Sequence, residues 1–228
     1  MNNFEKVDLE YFFDPICPWA WITSRFICEV QRHKEIVVRW RFISLFIVNE
    51  EKYESGLISE DYRGRHEAGH KLLRVAARIN TDYGNEAVGH FYRQAGIELH
   101  LHSKGAEVAS KSEVKEMLEV LASEKKLDES ADLAKLVSAL DDVALDEIIS
   151  ADTKTALERA GSDVGTPILS FGGEASTTFF GPVISSYPLG QEAVELYELI
   201  EKLACTKGFA ELKRSLREPR TLLPESEI

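Results

Sequence analysis

Cysteine is scarce in this chain, with three residues in 228. An odd and sparse set excludes the disulfide framework that staples small secreted domains, and points to a reducing compartment, with the cytoplasm as the expected location. No uninterrupted apolar run is long enough to span a bilayer. Residues Met1–Lys6 lack the basic-then-apolar pattern of a signal peptide, so no membrane partner is expected. Positive charge is also short: 27 Lys and Arg stand against 39 Asp and Glu, a net charge of −12. Without a long basic run, such a chain is a poor ligand for nucleic acid or an anionic membrane. A Gly-rich phosphate loop followed by Lys-Ser/Thr is missing, as is G-x-S-x-G, so kinase and α/β-hydrolase chemistry have no support. Internal repeats and low-complexity tracts are absent too. Core-forming material is not scarce: 44% of the residues are hydrophobic, ample for one domain with an insertion or for two small domains.

The alternation Val7, Leu9, Tyr11, Phe13 predicts a strand, with a helix following from Cys17 to about Arg32. Ile36–Ile43, rich in β-branched and aromatic residues, predicts a second strand, which the intervening helix makes parallel to the first. From Ser55 to Ala160 the periodicity is helical, with segments expected at 62–80, 85–95, 110–123, 130–136 and 142–160. Ser110-Lys111-Ser112-Glu113 is a capping-box start. Strand character returns at Pro167–Phe171 and Thr177–Phe180, joined through Gly172-Gly173 as a hairpin, before an amphipathic helix at 191–205. The polar segment after Leu216, with Pro219 and Pro224, reads as a mobile tail.

Cys17 sits where the first strand runs into the first helix. A sulfur there faces unpaired backbone N–H groups and the positive end of the helix dipole, which favour thiolate over thiol. Pro18 suits a first helical turn, since its missing N–H has no intrahelical partner to lose. In a Cys-x-x-Cys motif the second sulfur, one turn later, expels the first from a mixed disulfide. Position 20 is alanine. Cys28 cannot substitute, because eleven residues of helix separate it from Cys17 by roughly 16 Å, against about 7 Å tolerated by a disulfide. Cys28 and Cys205 both read as small core hydrophobes. A catalytic reading of Cys17 requires that its sulfur be accessible and unusually acidic.

The segment Asp14-Pro15-Ile16-Cys17-Pro18-Trp19-Ala20-Trp21 resembles the Cys-Pro-Trp-Cys region of the actinobacterial, cytoplasmic branch of the DsbA-like family, the mycothiol-dependent nitroreductases and related disulfide reductases. The resemblance continues through Ser44–Glu50, Val164-Gly165-Thr166-Pro167 and Phe179-Phe180-Gly181-Pro182-Val183. It implies an α/β, thioredoxin-like fold with an inserted all-helical domain. The thioredoxin-like domain is then 1–54 and 161–216, the insert 55–160 and the mobile tail 217–228. It further implies a cis Thr166–Pro167 bond, where a plain X-Pro turn is the alternative, with the backbone before the proline turned toward the sulfur so that a substrate can pair there. By the same resemblance Cys17 is the nucleophile and Ala20 occupies the resolving position. Pro18, Trp19, Asn49, His100, Thr166 and Pro167 line the substrate site. Asn49 reads equally as a turn residue, His100 equally as a surface histidine, and Trp21 as helix packing. The expected activity is thiol-disulfide oxidoreduction with mycothiol or a similar low-molecular-weight thiol as cosubstrate and no tightly bound cofactor, extending to nitroaromatics. A redoxin is a further expected partner, and the substrate is a small molecule or a disulfide. Ala20 limits the chain to monothiol chemistry or stalls it at the adduct, and reads equally as a natural departure or an engineered replacement.

His66-Glu67-Ala68-Gly69-His70 competes, since H-E-x-x-H on a helix sets two imidazoles on one face for zinc. It lacks a clear third ligand, Gly69 weakens the helix, and the flanks are charged, so a solvated helix face is the expectation and no metal is assigned. Two other functional classes stay open: an enzyme of the kappa-class glutathione transferase or isomerase type, and a redox-inactive binding module.

Overall fold

The computed structural model describes residues 6–128 and 130–228. Its sheet has four strands: β1 (Leu9–Phe13), β2 (Val38–Phe42), β3 (Ile168–Phe171) and β4 (Thr178–Phe180). Their order is β2-β1-β3-β4, with β1 parallel to β2 and antiparallel to β3, and β3 antiparallel to β4. β1 is central and buried on both faces. The predicted alternation is therefore incomplete as a description. Its one charged residue, Glu10, is buried but held by Arg41 at 3.0 Å and Arg159 at 2.6 Å, which is what makes a carboxylate tolerable there.

Helix α1 (Pro18–His33) links β1 to β2 and buries most of its first three turns. Between β2 and β3 every described element is helical, as the periodicity predicted: the short α2 (Leu45–Val48) and α3 (Glu50–Glu54), then α4 (Glu60–Tyr83), α5 (Asn85–Gly96), α6 (Lys111–Ser123), α7 (Leu133–Ser138) and α8 (Asp146–Ala160), with π- and 3-10 turns among them. α9 (Gln191–Ala204) follows the last strand. The fold is the α/β, thioredoxin-like architecture with a helical insertion.

Two local expectations need correction. Gly172 and Gly173 both take positive φ, but a 3-10 turn at Ala175–Thr177 lengthens the β3–β4 connection beyond a tight hairpin. Cys205 is exposed, because the helix ends at Ala204 and the cysteine falls on its C-cap; Cys28 does pack against the core. The segment after Leu216, exposed over most of its length, makes specific contacts. Leu222 and Ile228 pack on the core, the Thr221 N–H donates to the Ser185 carbonyl at 2.8 Å, and Arg93 Nε donates to the Ile228 carbonyl at 3.1 Å.

The larger hydrophobic core runs from the sheet into the helices, and a smaller cluster of Phe12, Ile43, Ala156 and Ile168 lies apart from it. Phe13 of β1 stacks on Tyr92 of α5 at 3.9 Å, and Trp21 and Trp40 meet the same tyrosine edge-on. Three glycines set how close the helices come, among them Gly89 of α5, where a Cβ would run into Trp40 Nε1. A Cβ on Gly69 of α4 would stand 2.5 Å from Asp14 Oδ1 and 3.1 Å from the Ile16 side chain, and one on Gly96 would penetrate the Trp21 ring. Gly69, weak as a helix former, is thus the point where α4 approaches the turn before Cys17.

Candidate active site

The turn from β1 into α1 is built by Asp14. Its backbone carbonyl accepts from Cys17 N–H at 3.1 Å, while its carboxylate oxygens accept from the N–H groups of Ile16 at 3.1 Å and Leu45 at 2.7 Å. Burial pushes this carboxyl up to about 7, against the pull of those two N–H groups. Sequence reading passed over Asp14 as a site-shaping residue. Its signal was there, as an Asp-Pro pair directly before a helix start.

Cys17 is the N-cap of α1, with Pro18 in the first helical turn, as predicted. Its sulfur lies 3.4 Å from the Thr166 carbonyl oxygen, to which the S–H donates. Thr166 in turn donates from Oγ1 to the Phe12 carbonyl at 3.2 Å, and the Thr166–Pro167 peptide is cis. Cys17, Thr166 and Pro167, far apart in sequence, therefore form one group. The Pro167 carbonyl already accepts from Gly181 N–H at 2.8 Å.

The expectation of an accessible, acidic thiol does not hold in this state. Cys17 is 7% exposed, and burial pushes its thiol up to about 11. The backbone N–H groups of Ala20 and Trp19 and the charge of Arg220 pull the other way, and Asp14 adds to the rise. Desolvation outweighs the helix start. The Ala20 side chain is fully buried, and its carbonyl accepts from Tyr11 OH at 2.7 Å.

His100 lies on a π-helical turn, Ile97–Leu101, that continues α5. It is not a surface histidine: Nε2 donates to the Pro15 carbonyl at 2.9 Å and the ring leans on Trp21. Burial lowers it to about 4, so at neutral pH it is an uncharged tie on the cysteine turn and not a cation that stabilises thiolate. Asn49 is used locally, donating to the Leu45 carbonyl at 2.9 Å and accepting from Lys52 at 2.9 Å. Both bonds are local, of the kind a turn residue makes. Trp21 is core, whereas Trp19 is half-buried and carries the guanidinium groups of Arg217 and Arg220 over its ring at 5.2 and 5.8 Å.

The H-E-x-x-H histidines are engaged elsewhere. His70 bonds Ser44 Oγ through Nδ1 and Asp146 through Nε2, both at 2.9 Å, and His66 Nδ1 meets Tyr53 OH at 2.6 Å. Both are largely buried, which corrects the solvated-face reading while leaving them structural. Burial lowers both, keeping them neutral pins between α4 and its neighbours. A cleft of about 440 Å³ near the C-terminal end of α4, lined by Asp82, Tyr83 and Lys126 among others, contains none of the predicted site residues.

This chain is similar to a known protein and to a protein family. An uncharacterized protein of Mycobacterium tuberculosis (strain ATCC 25618 / H37Rv), Rv2286c, is 27% identical over 206 residues, covering 90% of this chain and 81% of the relative. The family model described as Rv2466c-like, mycothiol-dependent nitroreductase Rv2466c, matches residues 16–214, from the turn before Cys17 into the segment beyond α9. With that match spanning the cysteine, the insertion and the Thr166–Pro167 strand, the chain belongs to the Rv2466c-like family of mycothiol-dependent nitroreductases.

Proposed function

We propose that this protein is a thiol-dependent oxidoreductase in which Cys17 is the nucleophile and mycothiol the electron donor, with resolution left to an external thiol because position 20 is alanine. The observation that carries the reading is the placement of the Cys17 sulfur at the start of α1, 3.4 Å from the carbonyl that precedes Pro167. A disulfide substrate loses one sulfur to the Cys17 thiolate, forming a mixed disulfide and releasing the other half as a thiolate. A mycothiol thiolate then attacks that bond, freeing Cys17 and leaving with the captured half as a disulfide. For a nitroaromatic, the Cys17 thiol and one mycothiol supply two electrons and two protons. The nitro group becomes nitroso with loss of water, and Cys17 is left disulfide-bonded to mycothiol. A second mycothiol restores the thiol and departs as the symmetrical disulfide. Trp19 offers an aromatic face for a flat substrate, while Pro18 and Thr166-Pro167 border the sulfur.

Mycothiol-dependent turnover of a small disulfide or a nitroaromatic tests the reading. Cys17→Ser abolishes it, while Ala20→Cys raises it, since an internal thiol at i+3 replaces a bimolecular resolving step. Equal turnover in Cys17→Ser and the parent protein would refute the assignment.

A further inference from the structure

We propose that residues 217–228 are a gate over Cys17, shut in this structure by Arg217 and Arg220 lying on Trp19 and opened by movement of the exposed linker before them. The segment is held along its length by directional contacts. Ser185 donates to the Glu218 carbonyl at 2.9 Å and accepts from the Thr221 N–H at 2.8 Å, giving a paired stretch beside the loop that follows β4. That loop is itself tied to α1, where Thr23 Oγ1 donates to the Pro182 carbonyl at 2.8 Å. At the far end Leu222 and Ile228 pack on the core, Arg93 binds the Ile228 carbonyl, and Glu225 lies 3.6 Å from His102, beside the turn that carries His100.

The arginine pair sits at the middle of this strap. Both guanidinium groups cover the ring of Trp19, two residues beyond the nucleophile, and Arg220 is close enough to act electrostatically on both Cys17 and His100. Residues 217–221 are themselves exposed, and the stretch upstream is exposed as well but has fewer contacts. Phe209 still packs against Phe179, but 210–216 are exposed throughout, with Leu212 and Leu216 at 84% and 88%. Such a stretch, with few buried contacts, is where a local opening has its hinge. The gate therefore hides the same aromatic face that a flat substrate would use, so substrate and arginines exclude one another.

This deepens the reading of Cys17 as nucleophile, yet its test needs no mycothiol and stands or falls separately. The rate of Cys17 alkylation by iodoacetamide, followed by peptide mass spectrometry to distinguish it from Cys28 and Cys205, reads out access. Removing residues 217–228, or replacing both arginines as Arg217→Ala/Arg220→Ala in the full-length chain, should accelerate Cys17 alkylation about tenfold or more, as expected when modification follows the open population. The sign is diagnostic. If the arginines only favour the thiolate, their loss slows alkylation. An unchanged or slower rate in the full-length double variant, with its thermal midpoint preserved, overturns the gate even where the truncated chain fails to fold. Loss of mycothiol chemistry with accelerated alkylation would instead strike the reading of function and leave the gate in place.

Discussion

At the scale of single residues, two opposing effects meet on Cys17. The helix start and its N–H groups favour thiolate, and burial favours thiol. Burial prevails, pushing the group up to about 11. Because the thiolate is the reactive form, the alkylation rate of the intact protein should rise about tenfold for each pH unit from 7 toward 11, with no plateau near the ordinary thiol range. A plateau reached by pH 8 would mean that the sulfur is already solvated in solution. The helix-start position of Cys17 was legible in the sequence, because it is local. The acidity was misjudged because the burial of the sulfur is set by tertiary packing, with Thr166, 149 residues away in sequence, placing its carbonyl 3.4 Å from it. The same holds for His100, whose burial depends on a π-helical turn that no short motif announces.

Secondary-structure elements were legible where their periodicity is strong. The first strand, α1, α4, α5, α6 and α9 fall within a few residues of expectation, and the Ser110 cap and Pro18 in the first turn of α1 are where the residue types demand them. The short α2 and α3 escaped because single turns carry no period. The contacts of the terminal strap are hidden from the sequence for a related reason: its composition is that of a loose tail, and its partners Ser185 and Arg93 are distant in the chain. Two guanidinium–ring contacts at about 0.5–1 kcal/mol each and two or three hydrogen bonds at about 1 kcal/mol net hold it weakly enough to open. Helix α4 offers a cleaner test of how elements are packed. A Cβ on Gly64 meets nothing within 4 Å, whereas one on Gly69 meets Asp14 and Ile16. Gly64→Ala should therefore stabilise the protein by about 0.5–1 kcal/mol through helix propensity. Gly69→Ala should cost about 1–3 kcal/mol through overpacking, a drop of several degrees in Tm for a chain of this size. Equal shifts in the two variants would show that α4 does not press on the cysteine turn.

For the whole molecule, the alternation of strand, helix, strand, helices, strands and helix sufficed to predict the α/β architecture, and the motifs around Cys17 and Thr166-Pro167 sufficed to predict the family. Neither reveals the closed state, since closure arises from the assembled chain: a fold-wide aromatic core, an insertion seated through Gly69 and Gly96, and a terminal strap across Trp19. The same assembly sets the burden on the proposed chemistry, because a buried sulfur must be uncovered before it can react. Intact-mass analysis after incubation with oxidised mycothiol puts this to the most direct trial. The account predicts one mycothiol adduct, mapped to Cys17, lost in Cys17→Ser and reversed by added thiol. An adduct that persists in Cys17→Ser and maps to the exposed Cys205, or no adduct at all, would contradict it.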